Sequence, residues 1–188
     1  DEIIPTQILM NEFMKEGEIA STGRYDTRLY ETIWFQCDYF NDGNGRVWGW
    51  EYDEWFVNDN GPYNRPVFRK FLPSTADEMW QSNTAINIPL MRYANVMLMK
   101  AEAMNELGRS DEAISLINEI RDVHGDMPAM TGTDQEAVRA QIEHERMIEF
   151  PLENYRWYDL RRWGKLATAM QAAGRTNFKE SEHSFYPT

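Results

Sequence analysis

Residues 89–125 read PLMRYANVMLMKAEAMNELGRSDEAISLINEIRDVHG, and this stretch decides the fold. Its pattern is that of two antiparallel helices joined by a tight turn. Pro89 suits a first helical position, where an amide N–H would have had no partner. Leu90, Ala94, Met97, Ala101 and Met104 then recur along one helical face. Tyr93, Val96, Ala103 and Leu107 draw a second apolar line, and a helix apolar around so much of its circumference is expected to pack on two sides. Gly108 is placed to stop the helix in the left-handed conformation. Ser110 is the expected cap of the next helix, with Asp111 and Glu112 complementing its N-terminal dipole. That helix turns Ala113, Leu116, Ile117 and Ile120 inward and ends at His124-Gly125.

A short helical hairpin with alanines at its crossing and two apolar faces resembles a tetratricopeptide unit, which needs neighbours to bury its outer face. Working outward, Thr133-Asp134-Gln135-Glu136 is a capping-box signature that opens a helix to about Phe150. A further helix is expected from Tyr155 to Ala172, with Leu160, Trp163, Ala167 and Met170 at helical spacing. Toward the N-terminus, Thr6 to Lys15 predicts a helix with Ile8, Leu9 and Phe13 on one face. Leu29 to Phe35 predicts a short strand, and Val67 to Leu72 its return. Between them Asp38 to Asn64 alternates turn residues with Trp, Tyr and Phe, the mark of a long irregular excursion. The expected architecture is mainly α: tetratricopeptide-like helical hairpins, a long irregular aromatic-rich loop region and a few short strands. Residues 1–88 form the loop-rich part, 89–173 the helical repeats and 174–188 a polar tail.

Composition narrows the function. With 42% hydrophobic and 13% aromatic residues the chain has material for a core. The formal net charge of −12 argues against nucleic acid, whose phosphates would be repelled. The single Cys37 excludes an internal disulfide or a cysteine-rich metal site. His124, His144 and His183 lack metal-ligand spacing. The Asn41-Asp42-Gly43-Asn44-Gly45 run reads as a turn, because the alternating ligands and closing Glu of a calcium loop are absent. The methionines Met91, Met97, Met99 and Met104 read as core filler. No cofactor is implied, since no phosphate loop, dinucleotide fingerprint or G-x-S-x-G is present.

The join of the last two predicted helices, EHERMIEFPLENYRWYDLRRWG, sets Glu145, Arg146, Glu149, Arg156, Asp159 and Arg161 among aromatic rings. A paired-carboxylate hydrolase is conceivable there. The arginines favour instead a structural lattice of bidentate pairs that holds every carboxylate ionised. Three stretches around and beyond this corner carry a resemblance. PLMRYANVMLMKAEAMNELG is similar to the "RYADVLLMYAEALNELG" of the SusD/RagB family of bacterial nutrient-binding lipoproteins. ERMIEFPLENYRWYDLRRWG is similar to its "ER..EFAFEG.R..DLRRWG", and PTQILMNEF followed by YDTRLYETI resembles the approach to its "DPRL" segment. Asn154 departs from the family's Gly, and Pro151 from a small residue.

The resemblance implies a helical scaffold at the outer surface of the outer membrane. It further implies that the protein is no enzyme but holds an oligosaccharide or other nutrient for a SusC-like TonB-dependent transporter. The membrane would be met only through a lipid anchor outside the chain shown, because Cys37 lies mid-chain, and the chain is expected to be the C-terminal part of a longer one. For the ligand, Arg46 to Phe56 is the candidate read from the residues themselves. If extended, Trp48, Trp50 and Tyr52 project from one face and Glu51 and Asp53 from the other. Flat rings cover the C–H face of a sugar, while Asp53 and Asn58 take its hydroxyls and Trp55 extends the shelf. The loop's acidic residues favour a neutral glycan. Two other readings stand beside this one: a helical-repeat adaptor that binds protein, and a glycosidase working through Glu51 and Glu54.

Overall fold

The computed structural model describes residues 3–56, 65–80 and 85–179. Helix α1 (Gln7–Met14) starts at Thr6, whose hydroxyl accepts from the Leu9 amide at 3.2 Å. It turns Met10 and Phe13 inward and leaves Ile8 exposed, so the buried face lies one position round from that expected. Residues 29–35 are not a strand. Asp26 caps a helix, α2 (Thr27–Thr32), by accepting from the Arg28 amide at 2.9 Å, and its carboxylate also clamps the Arg28 side chain. This local wiring overrides the β-propensity of the following residues. Only Ile33–Trp34 stays extended as β1, antiparallel to β2 (Val67–Phe68), with Ile33 opposite Phe68 and Trp34 opposite Val67. The aromatic excursion carries two short helices, α3 (Asp38–Asn41) and α4 (Tyr52–Phe56).

The hairpin is α5 (Tyr93–Glu106) and α6 (Ser110–Gly125). Helix α5 begins four residues after Pro89. Arg92 is extended because its side chain is tied to Glu149 and Glu153, which draws the preceding chain out of the helix. At the bend Gly108 takes φ 75°, its amide donates to the Asn105 carbonyl at 3.0 Å, and Arg109 donates to Met104 at 2.9 Å. This closure satisfies the last carbonyls of α5 and requires a residue at ease in the left-handed region. Ser110 does not cap α6; its hydroxyl donates to Asn105 Oδ1 at 2.8 Å. Ala94, Met97, Leu98 and Ala101 are buried against α6 and α7. The second apolar line is not packed: Tyr93 is 75% and Leu107 74% exposed, and Val96 is exposed as well. Leu90, expected on the inward face, lies before the helix and is exposed, as are Met91 and Met99. Of the methionines assigned to the core, Met97 alone is fully buried.

Helix α7 (Gln135–Glu149) is capped by Asp134, not Thr133; its Oδ1 accepts from Glu136 and Ala137 at 3.1 and 2.9 Å. The single helix expected over 155–172 is two, α8 (Tyr155–Arg162) and α9 (Leu166–Ala172). Gly164 (φ 67°) parts them with the same closure as Gly108, Lys165 donating to the Leu160 carbonyl at 2.8 Å. Asn154 takes the left-handed conformation (φ 64°) at the corner, which an Asn tolerates in place of Gly. Two apolar clusters result. One gathers Phe13, Leu29, Trp34, Phe40 and Tyr52; the other gathers the hairpin with Val138, Ile142 and Phe150. Helix α7 serves both, giving Ile148 to the first and Val138 and Ile142 to the second.

Candidate functional site

The aromatic segment does not run extended. Val47 and Trp50 exchange backbone hydrogen bonds at 3.0 Å across a two-residue turn in which Trp48 (φ 54°) and Gly49 (φ 85°) are both left-handed. That is the I′ geometry of tight hairpins, and a bulky Trp at its first central position is strained. The turn reverses the chain, so Trp48, Trp50 and Tyr52 share no face. Tyr52 is fully buried and donates its hydroxyl to the Arg65 carbonyl at 2.8 Å. It anchors the loop and is withdrawn from the ligand surface on which the sequence placed it.

The other rings form a descending series. Trp50 is exposed at the surface, 5.8 Å edge-on from Trp55. Trp55 stands 5.9 Å from Trp48 and 6.2 Å from Trp34, which is only 1% exposed. The indole N–H of Trp48 donates to the Pro73 carbonyl at 2.8 Å and fixes that ring. Trp34, Trp48, Trp55, Phe56 and Phe68 line a cavity of about 190 Å³. Trp34 Nε1 is buried without an acceptor, an exception to the general satisfaction of buried donors. Trp34 escaped the sequence reading because it sat inside an apparent strand. Asp53 accepts from Gln36 Nε2 at 3.0 Å. Asn58 lies outside the described residues. Glu51 is held by Arg46 at 2.8 Å, and the Glu54 carboxylate accepts from the Glu51 amide at 3.0 Å, so both serve the loop's own geometry.

Behind this loop, α7 presents a buried ion-pair lattice. Glu145, fully buried, meets Arg28 at 2.7 Å and Arg121 at 2.8 Å. Glu149 meets Arg28 (3.2 Å), Arg92 (2.9 Å) and His124 (3.0 Å). Arg146 donates to Asp159 at 2.7 Å and to Asn95 Oδ1 at 2.9 Å. Burial disfavours the Glu149 carboxylate, but the charges of Arg28, His124 and Arg92 outweigh it and hold its pKa below the usual range. Arg28, Arg92, Arg121 and Lys70 are members that the sequence did not suggest. Arg156 is not a member; its Nη1 is buried without a hydrogen-bond partner. It is Arg162, not its neighbour Arg161, that takes Asp159, at 2.9 Å.

Glu16, His144 and Glu145 bring ligand atoms within 4.8 Å of one another, but Arg121 lies between the carboxylates, bonded to Glu16 at 2.9 Å and to Glu145 at 2.8 Å. The trio is therefore an ion-pair site. A cleft of about 380 Å³ over the lattice is lined by Arg28, Lys70, Phe71, Arg92 and His124; Glu149 already holds Arg28, Arg92 and His124, and Glu153 holds Lys70. At the edge of the lattice His144 donates to Glu12 at 2.7 Å. That hydrogen bond, opposed by burial and aided by Lys15, holds the Glu12 carboxyl down at about 2 from 4.5. A depressed carboxyl stabilises the fold above its unfolded pKa and ceases to do so as pH falls through its folded one. Urea midpoints are expected to fall as pH drops from 4.5 toward 2, and Glu12→Gln should flatten that part of the profile.

The sequence model of the SusD family matches residues 2–186. SusD-like protein P38 of Formosa agariphila is 37% identical over 109 residues, which cover 54% of this chain and 21% of that protein. SusD-like protein P2 of the same organism is 37% identical over 109 residues, covering 53% and 21%. The crystal structure of a SusD superfamily protein from Bacteroides vulgatus superposes with a TM-score of 0.77 at 30% identity, over 90% of this chain and 35% of that one. A SusD-like protein from Bacteroides fragilis, at 24% identity and a TM-score of 0.62 over 86% of this chain and 36% of that one, shares the fold. The chain thus spans about a fifth of these curated relatives and about a third of the solved ones.

Proposed function

This chain belongs to the SusD family, and from that premise we propose that it is part of a non-catalytic binding protein that holds an oligosaccharide at the cell surface for a TonB-dependent outer-membrane transporter. The observation that carries the reading is the cavity walled by Trp48 and Trp55, with exposed Trp50 edge-on to Trp55 at its mouth. Flat aromatic walls suit the C–H face of a sugar ring. The cavity is smaller than the roughly 300–1,000 Å³ of a typical ligand pocket. One sugar ring would enter it, and the next would lie outside against exposed Trp50. The strained left-handed Trp48 is in keeping with a ring held for a task beyond packing. Glu51 and Glu54, engaged with the loop itself, support binding over hydrolysis.

A panel of neutral oligosaccharides titrated against intrinsic tryptophan fluorescence tests this. Saturable quenching by at least one of them, with no new reducing ends, is expected. Silence across the panel would favour a protein-binding role for the scaffold, and release of reducing ends would favour hydrolysis.

A further inference from the structure

The corner between α7 and α8 opens a second cavity, about 400 Å³, walled by Leu9, Phe68, Met147, Phe150 and Trp157. Arg146 and Arg156 form its polar side. Arg146 is engaged by Asp159 and Asn95. Arg156 is half-buried, lines the cavity, and has at Nη1 a donor without a partner. The carboxylates that act on it from a distance, Asp159, Glu12 and Glu143, each belong to another cation. Asp159 is taken by Arg146 at 2.7 Å and Arg162 at 2.9 Å, Glu12 by His144 at 2.7 Å, and Glu143 by Lys165 at 2.6 Å. A guanidinium stays charged at any ordinary pH, so burying one without a counter-ion of its own is costly. Burial pulls the Arg156 pKa down, in keeping with that cost.

We propose that this cavity binds a carboxylate carried on a ring-shaped body, with Arg156 as its counter-ion. A planar guanidinium fork matches a carboxylate bidentately. Trp157 would cover one face of the attached ring, and Met147 would fill the remaining space. Phe68 lines this cavity and the tryptophan cavity alike, which makes the two neighbours. The carboxylate site stands on its own observations; that the ring is a sugar acid at the end of a glycan rests on the proposed function.

Calorimetric titration of the complete protein with a glucuronate-terminated disaccharide, its neutral glucose counterpart and hydrocinnamate tests the proposal. A charge-assisted fork predicts that the acidic disaccharide binds about tenfold or more tighter than the neutral one. Arg156→Met should erase that preference without weakening the neutral sugar, and Arg156→Lys should keep part of it. Equal binding of both disaccharides by the unaltered protein, or a preference that survives Arg156→Met, overturns the proposal. Should Arg156→Met fail to fold, the Met147 methyl NMR signal of the unaltered protein decides: it must move on adding an acidic ligand, and an unmoved signal overturns the site. Hydrocinnamate binding that shifts Met147 while neither disaccharide binds upholds the carboxylate site and removes the glycan reading instead.

Discussion

Replacing Arg28 by methionine is expected to destabilise the protein by about 3–5 kcal/mol, a large part of the roughly 5–15 kcal/mol of an ordinary domain. Arg28 donates to both oxygens of Asp26, at 2.9 and 2.6 Å, and reaches Glu145 at 2.7 Å and Glu149 at 3.2 Å. Burial works against its charge, yet the hydrogen bonds of Asp26 and the charges of Glu145, Asp26 and Glu149 raise its pKa above the ordinary value. Removing it strands the buried carboxylates of Asp26, Glu145 and Glu149 without their main cation. Arg28→Lys keeps the charge but loses the fork, and should cost about half as much. Glu149→Gln in the Arg28→Met background should recover part of the loss, because one stranded charge is gone. Urea unfolding followed by circular dichroism measures all three, and an unchanged midpoint in Arg28→Met would show that the lattice contributes nothing net.

The second large effect concerns the ligand. Trp55→Ala should weaken oligosaccharide binding by about 2–3 kcal/mol, roughly 30- to 150-fold, the loss typical of a central aromatic anchor. Trp55 is the ring that touches both Trp50 above it and Trp48 and Trp34 below. Deleting it opens the shelf in the middle, whereas Trp50→Ala removes only its outer end. Trp34→Phe separates stacking from hydrogen bonding, since it keeps an aromatic wall and deletes the unpaired N–H. Because that N–H is closed to the cavity, affinity should change by less than about threefold, while stability holds or rises because a stranded donor has gone. Titration calorimetry beside thermal melts tells these apart. Full affinity in Trp55→Ala with a folded protein would move the ligand away from these rings.

What the chain discloses by inspection follows from the range of the forces involved. The α5–α6 hairpin was legible because Ala94, Met97, Ala101, Ile117 and Ile120 repeat at the helical period and Gly108 punctuates them locally. The break at Gly164 carried a similar local signal, Trp-Gly-Lys beside Leu-Gly-Arg, and was masked by the apolar spacing that runs across it. Helix α2 was misread because Asp26 sets it through one capping bond, against the strand-like composition after it. The lattice carboxylates were legible as a cluster of charge near the corner. Their partner Arg28 lies 121 positions from Glu149 in the chain, a distance over which no periodicity speaks. In the aromatic loop the rings themselves were visible but their directions were not. A left-handed Trp48 turns the chain on itself, puts Tyr52 in the core and brings Trp34 to the cavity.

Helix α7 supplies Ile148 to one cluster and Val138 and Ile142 to the other, with Glu145 and Glu149 buried between them. Neither half can therefore loosen alone without dragging ions from their partners and baring apolar side chains of the other. The molecule should come apart in one concerted step. Indole emission, to which the N-terminal half gives five of the seven tryptophans, and backbone ellipticity, to which the helices after residue 92 contribute most, would trace a single superimposable curve.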